Sequence, residues 1–158
     1  MFLSYDLHGF WDRLNPIGAI VHGHTNLTEI QLAAELLWRV GISPAKVVMG
    51  TGFYGRSFTL SDPSCAEPGC SFGGLSNAGP CTGEGGILGY FEIQDILGNG
   101  GDSGGLTRRD STPVWDKEAA VKYVQYDTDQ WVCDALSDEL QTLQALKLIW
   151  SQYIGLIR

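Results

Sequence analysis

The run Lys46-Val-Val-Met-Gly-Thr-Gly-Phe-Tyr-Gly-Arg-Ser-Phe-Thr-Leu60 constrains this chain more than any other stretch. Val47, Val48 and Met49 favour extended backbone, and Phe53, Phe58, Thr59 and Leu60 continue it. Gly50, Gly52 and Gly55 would weaken an ordinary strand, so they point to a place where a backbone or a ligand comes close. Strict alternation puts Val48, Gly50, Gly52 and Tyr54 on one face and Val47, Met49, Thr51 and Phe53 on the other. The glycine face is the one with room beside it.

The N-terminal side of that run reads as strand, loop and helix. Residues 2–7 alternate Leu3, Tyr5 and Leu7 against Phe2, Ser4 and Asp6, which predicts a short strand. Asn26 is a helix cap with Glu29 three residues on, and Ile30, Ala33, Ala34 and Leu37 recur at helical spacing until Gly41 and Pro44 end the element. Strand, helix and strand in this order form a βαβ unit with a parallel pair.

Beyond Leu60 the chain changes character. Residues 61–105 are dense in turn signals such as Glu67-Pro-Gly69 and Asn77-Ala-Gly-Pro80. Residues 87–96 are apolar enough for a strand or the start of a helix. Residues 119–126 are expected to be extended, forming a hairpin with Gln130-Trp131-Val132 across Asp127-Thr128-Asp129, and the apolar face of residues 138–153 predicts a final helix.

The net charge of -8 disfavours nucleic acid and anionic membrane surfaces as partners. No stretch is long and apolar enough to span a membrane, and no secretory signal is expected in this chain. Four cysteines allow three pairings. A local disulfide among Cys65, Cys70 and Cys81 is favoured and would imply an oxidising compartment; a zinc site is disfavoured for want of a nearby histidine, and free thiols are the remaining reading. His8, His22 and His24 do not make a metal set, so neither metal nor cofactor is expected. The glycine-rich run at residues 98–105 lacks the Lys-Ser/Thr ending of a phosphate cradle. Among the carboxylates beside aromatic residues, Asp6 follows Tyr5 at the end of the first strand and is the strongest candidate for a cleft. Trp11 and Trp131 are candidate sugar platforms.

Three segments together carry a resemblance. Leu3-Ser-Tyr-Asp-Leu-His-Gly-Phe-Trp-Asp12 resembles the sixth barrel strand and following loop of the glycoside hydrolase family 18 chitinases, and Val48-Met-Gly-Thr-Gly-Phe-Tyr-Gly-Arg-Ser-Phe58 resembles their seventh strand. Gly79-Pro-Cys-Thr-Gly-Glu-Gly-Gly-Ile-Leu-Gly-Tyr-Phe-Glu-Ile93 is similar to their small α+β insertion, in the form seen in secreted fungal enzymes of the killer-toxin-like group. The resemblance implies an α/β fold: an incomplete (β/α)8 TIM barrel of about strands 6 and 7, confined to the C-terminal portion of the catalytic domain. Residues 1–60 would be the barrel segment, 61–132 the insertion and its return, and 133–158 a diverged final helix.

The implied substrate is chitin or its N-acetylglucosamine oligomers, and the implied reaction is retaining cleavage of β-1,4 linkages assisted by the substrate's own acetamido group. By the same match Tyr5 would hydrogen-bond that acetamido group, Asp6 would hold a sugar hydroxyl or amide, Trp11 would stack on a ring, and Tyr54 and Arg56 would contact sugar. The family's acid sits in a D-x-x-D-x-D-x-E motif, which this sequence does not contain, and Glu29, Glu35 and Glu92 do not replace it by position. The resemblance therefore implies an extracellular glycosidase family, and a chain expected to be inactive alone. The alternatives are a non-catalytic oligosaccharide-binding protein and a truncated gene product.

Overall fold

The computed structural model describes residues 2–98 and 112–134. The chain opens with β1 (Phe2–Leu3), followed by a 3-10 turn over Phe10–Leu14, the helix α1 (Leu27–Arg39), and β2 (Met49–Gly50). Then come β3 (Tyr54–Leu60), β4 (Phe72–Leu75), β5 (Ile87–Gly89), α2 (Tyr90–Ile96), β6 (Val114–Asp116), β7 (Val121–Tyr126) and β8 (Gln130–Asp134).

β1 and β2 pair in parallel, Phe2 with Met49 and Leu3 with Gly50, with α1 as the crossover between them. The α1 N-terminus forms where Asn26 accepts a hydrogen bond from the Glu29 main-chain N–H at 3.3 Å, satisfying one of the orphan donors of the first turn. Glu29 does not fold back on the cap; its carboxylate turns outward to His8.

Among the described residues every other strand pairing is antiparallel. A second sheet runs in the order β4-β3-β8-β7-β6, with β5 also bonded to β3, and this path does not close on itself. The expected (β/α)8 barrel is thus not what these residues build. The described residues contain two α-helices, and all the described pairings of β3 to β8 run antiparallel, so the outcome is an open antiparallel sheet and not a ring of parallel strands.

The run at 46–60 is likewise two elements and not one. The chain leaves the parallel pair after Gly50 and enters the larger sheet at Tyr54, so alternation breaks at residues 51–53. The room beside the glycines is taken by the protein's own rings: a Cβ on Gly50 would stand 3.4 Å from Tyr5, and one on Gly52 2.8 Å from Tyr54. Gly55 answers to backbone approach, since a Cβ there would meet the Cys133 carbonyl and the side chains of Ile93 and Val132.

Both faces of the larger sheet are packed. Phe58, Leu60, Phe72 and Trp131 join Val21 and Cys70 on one face, and Leu88, Ile93, Ile96, Val124, Tyr126 and Val132 form the other cluster. Residues 87–96, ambiguous in sequence, divide into a strand followed by a helix at Tyr90. The hairpin β7–β8 places Tyr123 opposite Cys133 and Gln125 opposite Trp131. Its tip uses positive φ at Asp127 (44°) and Thr128 (78°), as a tight hairpin turn requires. Cys65 and Cys70 are joined in a disulfide, while Cys81 is an exposed thiol and Cys133 is buried outside the bridge. The predicted helix at residues 138–153 and most of the glycine-rich run lie outside the described residues.

Candidate functional site

The two sheets meet at Asp6. Ser4 is buried and its hydroxyl bonds to the Gly50 carbonyl, after which the backbone turns and Asp6 adopts φ 60°, ending β1 early. A non-glycine residue in the left-handed region costs about 1–3 kcal/mol and persists only where its surroundings impose it. The turn aims the Asp6 carboxylate at the start of β3.

Two side chains converge there on one oxygen. The Tyr54 hydroxyl donates to Asp6 Oδ1 at 2.6 Å and Arg56 Nε donates to it at 2.9 Å, with Arg56 Nη2 in ion-pair contact with the same atom, also at 2.9 Å. Oδ2 carries none of these bonds. Tyr54 and Arg56 are two apart on β3 and so share a face, the alternation that sends Phe58 and Leu60 of the same face into the core. Tyr5 packs edge-on against Tyr54, with ring centroids 6.1 Å apart.

The Arg56 guanidinium lies 5.0 Å from the centre of the Trp11 ring and 5.4 Å from that of Tyr54. Trp11 sits on the 3-10 turn after β1, 39% exposed. Its ring lies so close to Gly9 that a Cβ at that position would overlap it. Tyr5, Asp6, Trp11, Tyr54 and Arg56, all expected near a cleft, are therefore one connected group in space. Trp131 is not part of it: it is fully buried, stacked on Tyr123 and tilted against Phe58, with its indole N–H donated to the Ala66 carbonyl.

The electrostatics follow from the contacts. The side chains around Asp6 lower its pKa and partial burial opposes them, so the carboxyl stays well below the usual carboxylate range. Burial, then the bond to ionised Asp6, pushes the Tyr54 hydroxyl far above its ordinary value, so it remains a proton-bearing donor. The group is a fixed anion with an open acceptor oxygen, a fixed cation, and three aromatic rings. It can accept from hydroxyl or amide N–H groups and pack against the C–H faces of a ligand.

Sequence reasoning did not select His24 or the cluster around His8. His8 is buried and bridges Asp12 (Nδ1–Oδ2 2.9 Å) and Glu29 (Nε2–Oε2 2.9 Å), tying the turn that carries Trp11 to α1. His22 lies against His8 with ring centroids 4.8 Å apart and the planes tilted by 32°, and burial, then the His8 charge, lowers its pKa. The only signal in sequence was three histidines flanking the motif, with no spacing to say what they touch. Glu92, set aside in sequence, is fully buried in the larger sheet's flank and takes main-chain bonds from Cys81, Thr82 and Gly89.

Residues 2–135 match the family model for glycosyl hydrolases family 18. The Penicillium expansum protein named secreted chitinase LysM12 is 33% identical over 144 residues, covering 84% of this chain and 9% of that relative. A crystal structure of the Ostrinia furnacalis Group IV chitinase in complex with allosamidin shares 34% identity at a TM-score of 0.61, covering 82% of this chain and 34% of its own. Human YKL-39, described as a pseudo-chitinase with retained chitooligosaccharide binding properties, shares 25% identity at a TM-score of 0.74, covering 94% of this chain and 40% of its own. The chain spans 9 to 12% of the length of the first curated relatives it matches. These findings correct the narrower expectation of a C-terminal portion of one fungal killer-toxin-like group. The family match runs through almost all of this chain, and the likeness extends to proteins of Ostrinia furnacalis and human.

Proposed function

The chain belongs to glycosyl hydrolase family 18, and from that premise we propose that it forms one wall of a groove for β-1,4-linked N-acetylglucosamine oligomers and supplies binding contacts, not the acid. The observation that carries this reading is the convergence of Tyr54 and Arg56 on Asp6 Oδ1 beside Trp11, with Oδ2 left as an acceptor. An N-acetylated sugar offers N–H and O–H donors for that oxygen and an apolar ring face for the aromatic side chains.

Substrate-assisted cleavage also needs a protonated carboxylic acid at the leaving oxygen, worth about 10²–10⁴-fold in rate. The described carboxylates in and behind the group are ill suited to it. Asp6 is held ionised. Asp12 and Glu29 are engaged by His8, and Glu92 is buried with its oxygens fully occupied. The relative named a secreted chitinase and the Cys65–Cys70 disulfide both support a place outside the cell.

Calorimetric titration with chitotetraose tests the reading. The chain is expected to bind it, with Trp11→Ala weakening affinity about tenfold, the scale of a single well-packed aromatic contact. Product analysis is expected to show no cleavage. Absence of binding by the folded protein, or turnover of the oligomer, would overturn the respective half of the proposal.

A further inference from the structure

His24 lies beneath Asp6 and Tyr54, wholly removed from solvent, and touches both. The Asp6 main-chain N–H donates to His24 Nδ1 at 3.3 Å, and His24 Nε2 lies 3.1 Å from the Tyr54 carbonyl oxygen. Its own carbonyl accepts from the Leu7 N–H at 3.0 Å, and its ring stacks on the Tyr54 ring at 5.1 Å between centroids. We propose that His24 is the positioning residue of the sugar-contacting group, fixing the left-handed turn at Asp6 through Nδ1 and the start of β3 through Nε2. This rests on the reading of the Asp6 group as a saccharide site.

Donor and acceptor chemistry fixes the tautomer. A carbonyl oxygen only accepts, so Nε2 carries the proton facing Tyr54. A main-chain N–H only donates, so Nδ1 facing Asp6 carries none. The ring thus reads a donor on one side and an acceptor on the other, which no other single orientation of a neutral imidazole does. If Nδ1 gained a proton it would lose the Asp6 N–H and face Asp6 Oδ1, 3.7 Å away. The oxygen that Tyr54 and Arg56 converge on would then gain a third competing partner. His24 therefore sets where Asp6 stands without itself reaching the ligand.

Nitrogen-15 spectra of the histidine rings in the full chain test the placement with no ligand present. The expected result is a His24 ring protonated at Nε2 alone; a ring protonated at Nδ1 overturns the proposal. Three variants test the positioning. His24→Asn can return an acceptor to the Nδ1 position, His24→Gln can return only the donor toward Tyr54, and His24→Ala returns neither. Hydrogen exchange at the Asp6 amide is expected to stay slow in His24→Asn and to accelerate in His24→Gln and His24→Ala. Chitotetraose affinity is expected to fall about tenfold in His24→Ala, the size of one lost hydrogen bond, and to recover in His24→Asn. Folded variants that all exchange and bind like the wild type would overturn the proposal. If the wild type shows the expected tautomer and does not bind chitotetraose, the saccharide reading fails and Asp6 exchange alone decides the role of His24.

Discussion

Glu92→Gln changes one atom in a carboxylate that the fold encloses completely, and its cost can be worked from the contacts. Oε1 accepts from the Cys81 N–H at 2.9 Å and the Thr82 N–H at 3.1 Å, and Oε2 accepts from the Gly89 N–H at 2.7 Å and the Thr82 hydroxyl at 2.8 Å. Gln must present an NH₂ group to one of these pairs. The less costly orientation places it on the Oε2 side, because the Thr82 hydroxyl can rotate to accept while the Gly89 N–H cannot. One charge-assisted bond is then lost and the others weaken toward neutral strength, a total of about 3 kcal/mol. Urea unfolding should show the midpoint falling by about 1–2 M at an unchanged slope. The pH dependence supplies a second check. Burial would raise the Glu92 pKa, but the four donors outweigh it and the folded value lies below the ordinary 4.5. The stabilisation is therefore complete above the unfolded-state value and disappears as pH falls through the folded one. The gap between wild type and Glu92→Gln should close over that interval. A difference under about 0.5 kcal/mol at pH 7, or a gap that persists undiminished into strong acid, would refute the assignment of these bonds as the stabilising term.

Gly9→Ala should reproduce the binding defect of Trp11→Ala, because the added methyl group displaces the indole while the extended backbone (φ -176°) tolerates alanine. In calorimetry the double variant should bind no more weakly than Trp11→Ala alone. Replacing both Cys65 and Cys70 by Ser releases a bridge with a sequence separation of 5. The unfolded-chain entropy regained corresponds to about 2 kcal/mol of lost stability by urea unfolding. Cys81→Ser, at an exposed free thiol, serves as the unchanged control.

The elements legible in sequence were those whose cause is local. Asn26 and the periodic Ile30, Ala34 and Leu37 specify α1, and the apolar runs either side of Asp127-Thr128-Asp129 specify the β7–β8 hairpin. Alternation through residues 46–60 misled because it assumes one partner along the whole run. Met49–Gly50 pairs with β1, and Tyr54–Leu60 pairs with β4, β5 and β8. The barrel expectation failed for a related reason: a motif resemblance specifies residues, but the direction of a neighbouring strand depends on how the intervening chain returns. Within the site, Asp6, Tyr54 and Arg56 were nameable from their motifs. His24 was not, because its importance lies in two main-chain groups 18 and 30 residues away along the chain. Trp131 carried the same composition signal as Trp11, and only burial separates platform from core.

The pairing of β3 with β8 also bears on how fast this fold can assemble. Arg56 lies opposite Cys133, 77 residues along the chain, whereas Tyr126 and Gln130 pair across a tight turn. Hairpins close in about 1–10 μs, so β7–β8 can form long before β3 arrives. Pairings that close long loops pay their entropy before any contact rewards it, and folding slows accordingly. During that interval β8 has one edge joined to β7 and the other bare, with Trp131 and Val132 not yet covered. Such a strand recruits any extended chain it meets. Refolding yield should therefore fall with protein concentration, and synthesis from the N-terminus would favour assembly in which residues 54–60 are already held in place when the hairpin emerges.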